Sequence, residues 1–206
     1  MRDYKTVKSE AFSEFVEKKS RFLSYIAPVT TEAEATAFLQ KIASLHREAA
    51  HVVYAYSLLD GQIKRFSDAG EPQGTAGMPT LDVILRKDLY NVAIATVRYF
   101  GGILLGTGGL TRAYSKGASD AASAAEIITR TWGSVLTVTI PYSLYGRVNP
   151  FLATSPARIL DSDFSDIVKI NIFCPAASCE KIEADLVELC AGSVEVQKQE
   201  EIFFDM

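Results

Sequence analysis

The sequence predicts an α+β protein of two domains. Three observations point there. Its 206 residues are 48% hydrophobic and 22% charged, a globular balance that excludes disordered, collagen-like and coiled-coil classes. Short runs with strand alternation interleave with segments whose apolar residues recur at helical spacing. The character of the chain also changes near Thr131-Trp132-Gly133, after a long alanine-rich segment. Residues 1–132 hold 16 basic and 14 acidic side chains, a net of +2, and residues 133–206 hold 5 and 11, a net of −6. All three cysteines lie in the second part. The division is therefore drawn at 1–132 and 133–206.

In the first part, Phe12–Val16 and Arg21–Val29 read as strands joined by a turn at Lys18-Lys19-Ser20. Thr31-Glu32-Ala33-Glu34 is a capping box, in which the threonine hydroxyl accepts from the Glu34 amide while the Glu34 carboxylate reaches back. Behind it Ala35, Phe38, Leu39, Ile42 and Leu45 follow one helical face and are expected in the core. Val52–Leu59 and Gln62–Phe66 flank Asp60-Gly61, a type I′ hairpin signal, because both turn residues must tolerate positive φ. A long loop, Ser67–Gly77, follows. Pro79 suits the first turn of a helix carrying Leu81 and Ile84. Tyr90–Phe100 reads as a largely buried strand. After a glycine-rich turn, Thr111–Ile128 reads as a helix whose small face (Gly117, Ala118, Ala121, Ala124, Ala125) lets it lie close to a sheet.

The second part reads β-α-β-β-α-β. Val135–Ile140 is a strand and Leu144–Leu152 a short helix. Ala157–Leu160 and Ile167–Phe173 form a hairpin about Asp161-Ser162-Asp163. Ser178–Ala191 is a helix closed by a left-handed Gly192, and Val194–Phe204 is the last strand. That order is a ferredoxin-like split βαβ unit.

Other classes fall away. The longest unbroken apolar run, Val52–Tyr56, has five residues, against about 20 needed to span a bilayer. Met1-Arg2-Asp3-Tyr4-Lys5 lacks the apolar core of a secretion signal. Three cysteines without a CxxC pair indicate neither a disulfide scaffold nor a zinc ribbon. Cys174, Cys179 and Cys190 read as small buried hydrophobes. His46 and His51 have no metal-ligand spacing, and read as a helix-end hydrogen-bonding group and a strand-face group. The expectation is a cytoplasmic protein, monomer favoured, with no metal and no cofactor.

Two stretches carry chemistry. Ser67-Asp68-Ala69-Gly70-Glu71-Pro72-Gln73-Gly74-Thr75-Ala76-Gly77 is long for a loop inside a compact domain, and such loops are commonly functional. It reads either as a ligand-facing loop, with Asp68 and Glu71 as acceptors or acids and Gly74 allowing close backbone approach, or as a structural loop whose carboxylates pair with Arg98 or cap the next helix. In the second stretch, Arg98 to Arg112, five glycines join a buried strand to a helix, whose N-terminal amides favour an anion. It matches neither a Walker A loop nor GxGxxG, since Thr111 stands where the third glycine belongs. Lys18, Lys19, Arg21, Lys64 and Arg65 add a basic character that fits either a phosphate backbone or solvated strand edges.

At Lys19-Ser20-Arg21-Phe22, His46, Ala50-His51, Ala55-Tyr56, Ser67-Asp68, Gly70-Glu71-Pro72, Gly74-Thr75-Ala76-Gly77 and Val97-Arg98-Tyr99-Phe100-Gly101-Gly102 through Leu105-Gly106 and Gly108-Gly109-Leu110, the sequence resembles the IMPACT/YigZ family. The resemblance implies a domain IV-like α/β sandwich, similar to that of elongation factor G, followed by a ferredoxin-like βαββαβ domain. The eukaryotic members are translational regulators whose partner domain is absent here, and for bacterial members the family implies a role near translation or nucleic acid. Ala69 and Val53 depart from the family, which usually has Asp and often Cys there. Both departures weaken a paired-carboxylate or Cys/His catalytic reading.

The expected function is therefore a non-enzymatic, translation-associated protein that binds RNA, the ribosome or a translation factor. The alternative is an enzyme that takes a phosphorylated small molecule or nucleotide at the glycine-rich turn. The residues expected to serve either are the cations Lys19, Arg21, Arg98 and Arg112, the loop group His51, Ser67, Asp68, Glu71, Gly74 and Thr75, and the turn glycines Gly101, Gly102, Gly106, Gly108 and Gly109. No catalytic set is named.

Overall fold

The computed structural model describes residues 1–206 and confirms the α+β class. Two compact units emerge, Tyr4–Thr129 and Arg130–Met206 with Met1–Asp3. The division falls inside a strand, a few residues before the 132/133 boundary drawn from composition.

In the first unit the elements are β1 (Tyr4–Val7), β2 (Ala11–Glu17), β3 (Ser20–Pro28), α1 (Glu32–Leu45), β4 (His51–Ser57), β5 (Lys64–Ser67), α2 (Gly77–Arg86), β6 (Val92–Tyr99) and α3 (Thr107–Ala124). The sheet order is β2-β3-β6-β4-β5, antiparallel throughout. Side chains alternate across it. On one face Leu23, Ala27, Ala93, Ala95 and Val97 pack with Ala35, Phe38 and Ile42 of α1. On the other, Ile26, Ala55, Val92 and Ile94 meet α2 and α3, and Phe22 and Val53 meet Leu110, Ala113 and Tyr114 of α3. β6 is central and covered on both faces, so seven consecutive residues, Val92–Arg98, are buried, Thr96 and Arg98 among them.

Several local expectations change. The type I′ turn is at Lys18-Lys19, with φ of 46° and 65°, and Glu17 pairs Ser20 across it. At Asp60-Gly61 the positive φ values belong to Gly61 and Gln62, and Leu58 donates to Ile63 across a longer loop containing one 3₁₀ turn. In the helix cap, Thr31 accepts from the Glu34 amide at 3.1 Å as expected, but the Glu34 carboxylate reaches the amide and hydroxyl of Thr30. Leu45 is exposed, because α1 ends as it leaves the sheet. β1 carried no readable pattern in its four residues; its Lys5 carbonyl accepts from Tyr90. α3 begins at Thr107, so Gly108, Gly109 and Arg112 lie within its first turns, and Ile127 and Ile128 belong to the next strand. Gly117, Ala118 and Ala121 are buried as expected, joined by Ala122, whereas Ala124 faces solvent.

The second unit holds β7 (Ile127–Ile140), α4 (Tyr142–Thr154), β8 (Arg158–Phe164), β9 (Val168–Pro175), α5 (Cys179–Leu189) and β10 (Glu195–Asp205). Its antiparallel order, β8-β9-β7-β10, is the ferredoxin-like arrangement. Leu136, Val138, Ile170 and Ile172 of the sheet pack against Val148 and Leu152 of α4 and Ile182 and Leu186 of α5. Asp161, Ser162 and Asp163 do not form the hairpin turn. They extend the exposed edge strand β8, where Asn171 donates to Asp161 at 2.8 Å. Cys174 and Cys190 are buried in this core with Cys179 beside them, and burial pushes the Cys174 thiol up to about 12.

Candidate functional site

The site grows from one residue of β6. Arg98 lies on the face beneath α3, in register with Phe22 of β3 on one side and His51 of β4 on the other. Phe15 of β2 stacks on Phe22 with ring centroids 5.0 Å apart. A row Phe15–Phe22–Arg98–His51 therefore crosses four adjacent strands. Arg98 is only 5% exposed. A guanidinium at that depth needs partners to offset its lost hydration. Glu71, itself buried, accepts from Nη1 at 2.7 Å, and the Ser20 hydroxyl accepts from Nη2 at 3.3 Å. The Phe22 and Phe100 rings lie 5.6 and 5.5 Å from Cζ, within cation–π range. The Nε–H is buried and has no acceptor.

The long loop folds onto this arginine. Tyr114 of α3 donates to the same Glu71 oxygen at 2.8 Å. Its phenol is driven far above the ordinary range by burial first and by Glu71 second, so it stays a donor. His51 Nδ1 faces the Ala69 carbonyl at 2.8 Å and so must donate to it; its Nε2 is 4.0 Å from Glu71. Asp68 accepts the amides of Gly74, Ala76 and Gly77 at 2.8–3.0 Å, where α2 begins. Burial opposes its charge, but those three amides outweigh burial and hold its pKa below the usual carboxylate range. Ser67 accepts from the Ala69 amide, and Thr75 is tied to the Pro72 carbonyl. Both loop carboxylates thus accept from the protein's own donors, Asp68 through both oxygens and Glu71 through Oε1, and so shape the loop.

The glycine-rich turn adds two strict geometric demands. A Cβ on Gly101 would lie 2.0 Å from the Lys19 carbonyl carbon, so the turn after β6 presses on the Lys18-Lys19 hairpin while its amide donates to Ser20 at 3.2 Å. Gly106, the residue before α3, sits at φ 73°, ψ 166°, a region essentially restricted to glycine. No side chain caps α3, so its first amides remain unpaired. Gly108 and Gly109 form its first turn, and Gly102 sits in the preceding turn at φ 80° with open space around it.

Two clefts meet there. Lys18, Arg112, Lys116, Phe15 and Gly109 border one of about 210 Å³. His51, Glu71, Arg98, Phe100, Leu104 and Thr107 border another of about 360 Å³. Leu105 lines both. Lys18, Lys19 and Arg112 are exposed with no carboxylate partner, and Lys116 pairs only with Asp120 in the next turn. Arg21, by contrast, is held by both oxygens of Glu14 and is not a free cation. His46 lies away from this site, bonded to the hydroxyls of Tyr25 and Tyr99. Val53 is fully buried in the core beneath α3.

Sequence reasoning named Arg98, Glu71, His51, Arg112 and the glycines that the fold gathers here. It missed Ser20, Phe100, Lys116 and Tyr114 as members. Tyr114 had one readable signal, a phenol on the otherwise apolar Leu110–Ala113–Gly117 face, which has to find a buried acceptor.

Comparison with known proteins agrees with this picture. The Impact N-terminal domain model matches residues 18–122, and a domain of unknown function matches residues 138–193. The chain is 32% identical to IMPACT family member YvyE of Bacillus subtilis over 97% of its own length and 93% of that protein. It is 33% identical to IMPACT family member YigZ of Escherichia coli over 89% and 92%. A solved structure titled as a hypothetical protein superposes with a TM-score of 0.63 at 30% identity, covering 97% of this chain and 98% of its own. The first match spans the site from Lys18 to Lys116, leaving out only Phe15, and with near-full-length likeness on top of it the chain belongs to the IMPACT family.

Proposed function

We propose that the protein acts in or near translation by binding RNA through its N-terminal unit. One observation carries the reading: a cleft along α3 lined by Lys18, Arg112 and Lys116, with Glu17 as its one carboxylate, shares Leu105 with a second cleft that holds the uncapped start of α3 and the exposed ring of Phe100. Cations at a helix N-terminus meet phosphates, and an exposed aromatic beside them meets bases. The net charge of −4 does not oppose this, because the acidic excess lies beyond residue 132, and of these cations only Lys116 has a carboxylate partner, the exposed Asp120. That the yeast relative, 34% identical over 44% of this chain, is named a protein IMPACT homolog supports a shared N-terminal role.

The test is fluorescence anisotropy with a single-stranded oligoribonucleotide across a salt series. About three neutralised phosphates give a log–log slope of about −2. Lys18→Ala/Arg112→Ala/Lys116→Ala should lower affinity by roughly tenfold or more and flatten that slope. Unchanged affinity in the triple variant refutes the reading. Arg98 is left out of the set, since removing it strands Glu71 without its partner and costs about 3–5 kcal/mol of stability.

A further inference from the structure

The second unit leaves an edge of its sheet open. β8 ends the strand order β8-β9-β7-β10 and pairs with β9 alone. A bare edge is a template for another strand, and proteins commonly blunt it with charge. β10 is blunted in that way: Glu195, Lys198, Glu200 and Glu201 run along it, Lys198 is paired with Glu201, and the ladder is interrupted at Gln199. β8 instead exposes three large apolar side chains, Ile159, Leu160 and Phe164, at 38%, 40% and 51%. Its two faces differ in kind. Asp161 and Asp163 stand opposite Asn171 and Lys169, on the face turned away from α4 and α5, while Ile159, Ser162 and Phe164 stand opposite Ile172, Ile170 and Val168, on the face those helices cover. On that second face the Phe164 ring meets Tyr145 of α4, with centroids 5.1 Å apart, and the exposed Tyr142.

Charge decides among occupants. β8 and the turn after it hold three carboxylates, Asp161, Asp163 and Asp166, against one cation, Arg158, in a part of the chain with a net of −6. A second copy fits poorly. Antiparallel pairing of β8 with itself about a two-fold axis sets Asp161 against Asp163 of the other copy when centred on Ser162, and sets an aspartate against itself when centred on either one. Like charges directly opposite are destabilising. A wholly apolar strand strips water from both carboxylates and returns no hydrogen bond. A strand with lysine or arginine at every second position and apolar residues between them meets both faces at once, because side chains alternate with a period of two. Its cations then lie beside Asp161 and Asp163, and its apolar side chains beside Ile159 and Phe164.

We propose that β8 is the docking edge for an extended segment of a partner protein in which basic and apolar residues alternate, added to the sheet as a further strand. The main-chain ladder supplies affinity and the alternation supplies specificity. The surface belongs to the second unit, so it goes beyond RNA binding by the first and does not depend on it.

The test uses the full chain and a labelled peptide, Val-Lys-Val-Arg-Val-Lys-Val. One control peptide has the same residues with the cations clustered at one end, and another has glutamate in place of each cation. Anisotropy reads affinity and amide hydrogen exchange reads the place of binding. The alternating basic peptide is expected to bind about tenfold or more tighter than either control, and to slow exchange within Arg158–Phe164. Asp161→Lys/Asp163→Lys should turn the preference toward the glutamate peptide, a gain that an unfolded variant cannot give, while exchange in the parent protein needs no variant at all. Equal binding of the clustered peptide overturns the proposal, as does slowed exchange along β2 or β10 in place of β8, or an unchanged preference in the charge-reversed variant. Slowing of β8 exchange with protein concentration alone assigns the edge to a second copy, and slowing by an oligoribonucleotide assigns it to nucleic acid; either result also overturns it.

Discussion

Lys18 and Lys19 form the hairpin turn between β2 and β3, and both occupy the left-handed region. Two side-chain-bearing residues there are strained, and Asn-Gly is the pair this turn type prefers. Replacing them, as Lys18→Asn/Lys19→Gly, should raise stability by about 1 kcal/mol in urea unfolding while weakening RNA binding. A gain in one and a loss in the other would mark strain kept for function; a variant less stable than the parent would refute it. His46 offers a second residue-scale test. Burial, helped by the nearby Arg21, lowers its pKa from the ordinary value near 6.5. The folded state therefore prefers neutral imidazole. The corresponding stability is full above about pH 6.5 and is lost as pH falls from there toward the lower folded value. Thermal midpoints between pH 7.5 and 5 should drop more for the parent than for His46→Gln, and parallel curves would remove His46 as the cause. Which residues carry charge was legible in the sequence, but which of them are free was not. Arg21 and Arg112 look alike in sequence, yet one is clamped by Glu14 and the other is unpaired, because pairing depends on which strand lies alongside.

Element boundaries follow capping chemistry more closely than apolar periodicity. α3 starts at Thr107, four residues before the Thr111 start read from the sequence, because Gly106 supplies the backbone conformation that enters the helix. α5 ends in a Schellman arrangement, with the Gly192 amide donating to Val187 and the Ala191 amide to Glu188. The residue at the left-handed position next to the cap is Ala191, at φ 49°, where glycine is preferred. Ala191→Gly should therefore stabilise by about 1 kcal/mol, read as a higher denaturant midpoint at unchanged slope. A lower midpoint would show that the site tolerates alanine at no cost. Strands with alternating or unbroken apolar character, β3, β6 and β9, were readable from sequence. The outer part of β8 was not, because an exposed edge strand leaves no period-2 trace, and neither was β1, whose four residues, three of them buried, are too few to show a period.

At the scale of the whole molecule, the first unit holds three buried clusters, on the two faces of its sheet, and the second unit holds one. Two units, each with its own buried clusters, predict two calorimetric transitions. Ile170→Ala, deep in the cluster of the second unit, should lower the stability of that unit by about 2–5 kcal/mol and displace one transition only. A single transition moving as a whole would show that the units unfold together.

The sequence by itself determined the class, the order of the elements after β1 and the family, because periodicity, turn residues and the glycine-rich motifs are local properties written residue by residue. The net charge already divided there into a slightly basic part and an acidic one. The tertiary structure alone decided which of the named residues make a site. It paired Glu71 with Arg98 and Tyr114, spent Asp68 on the start of α2, left Arg98 Nε without an acceptor and set Phe100 beside it. Those relations join β3, β4, β6, a loop and α3 across long stretches of chain, and burial and pairing exist only once the strands lie side by side.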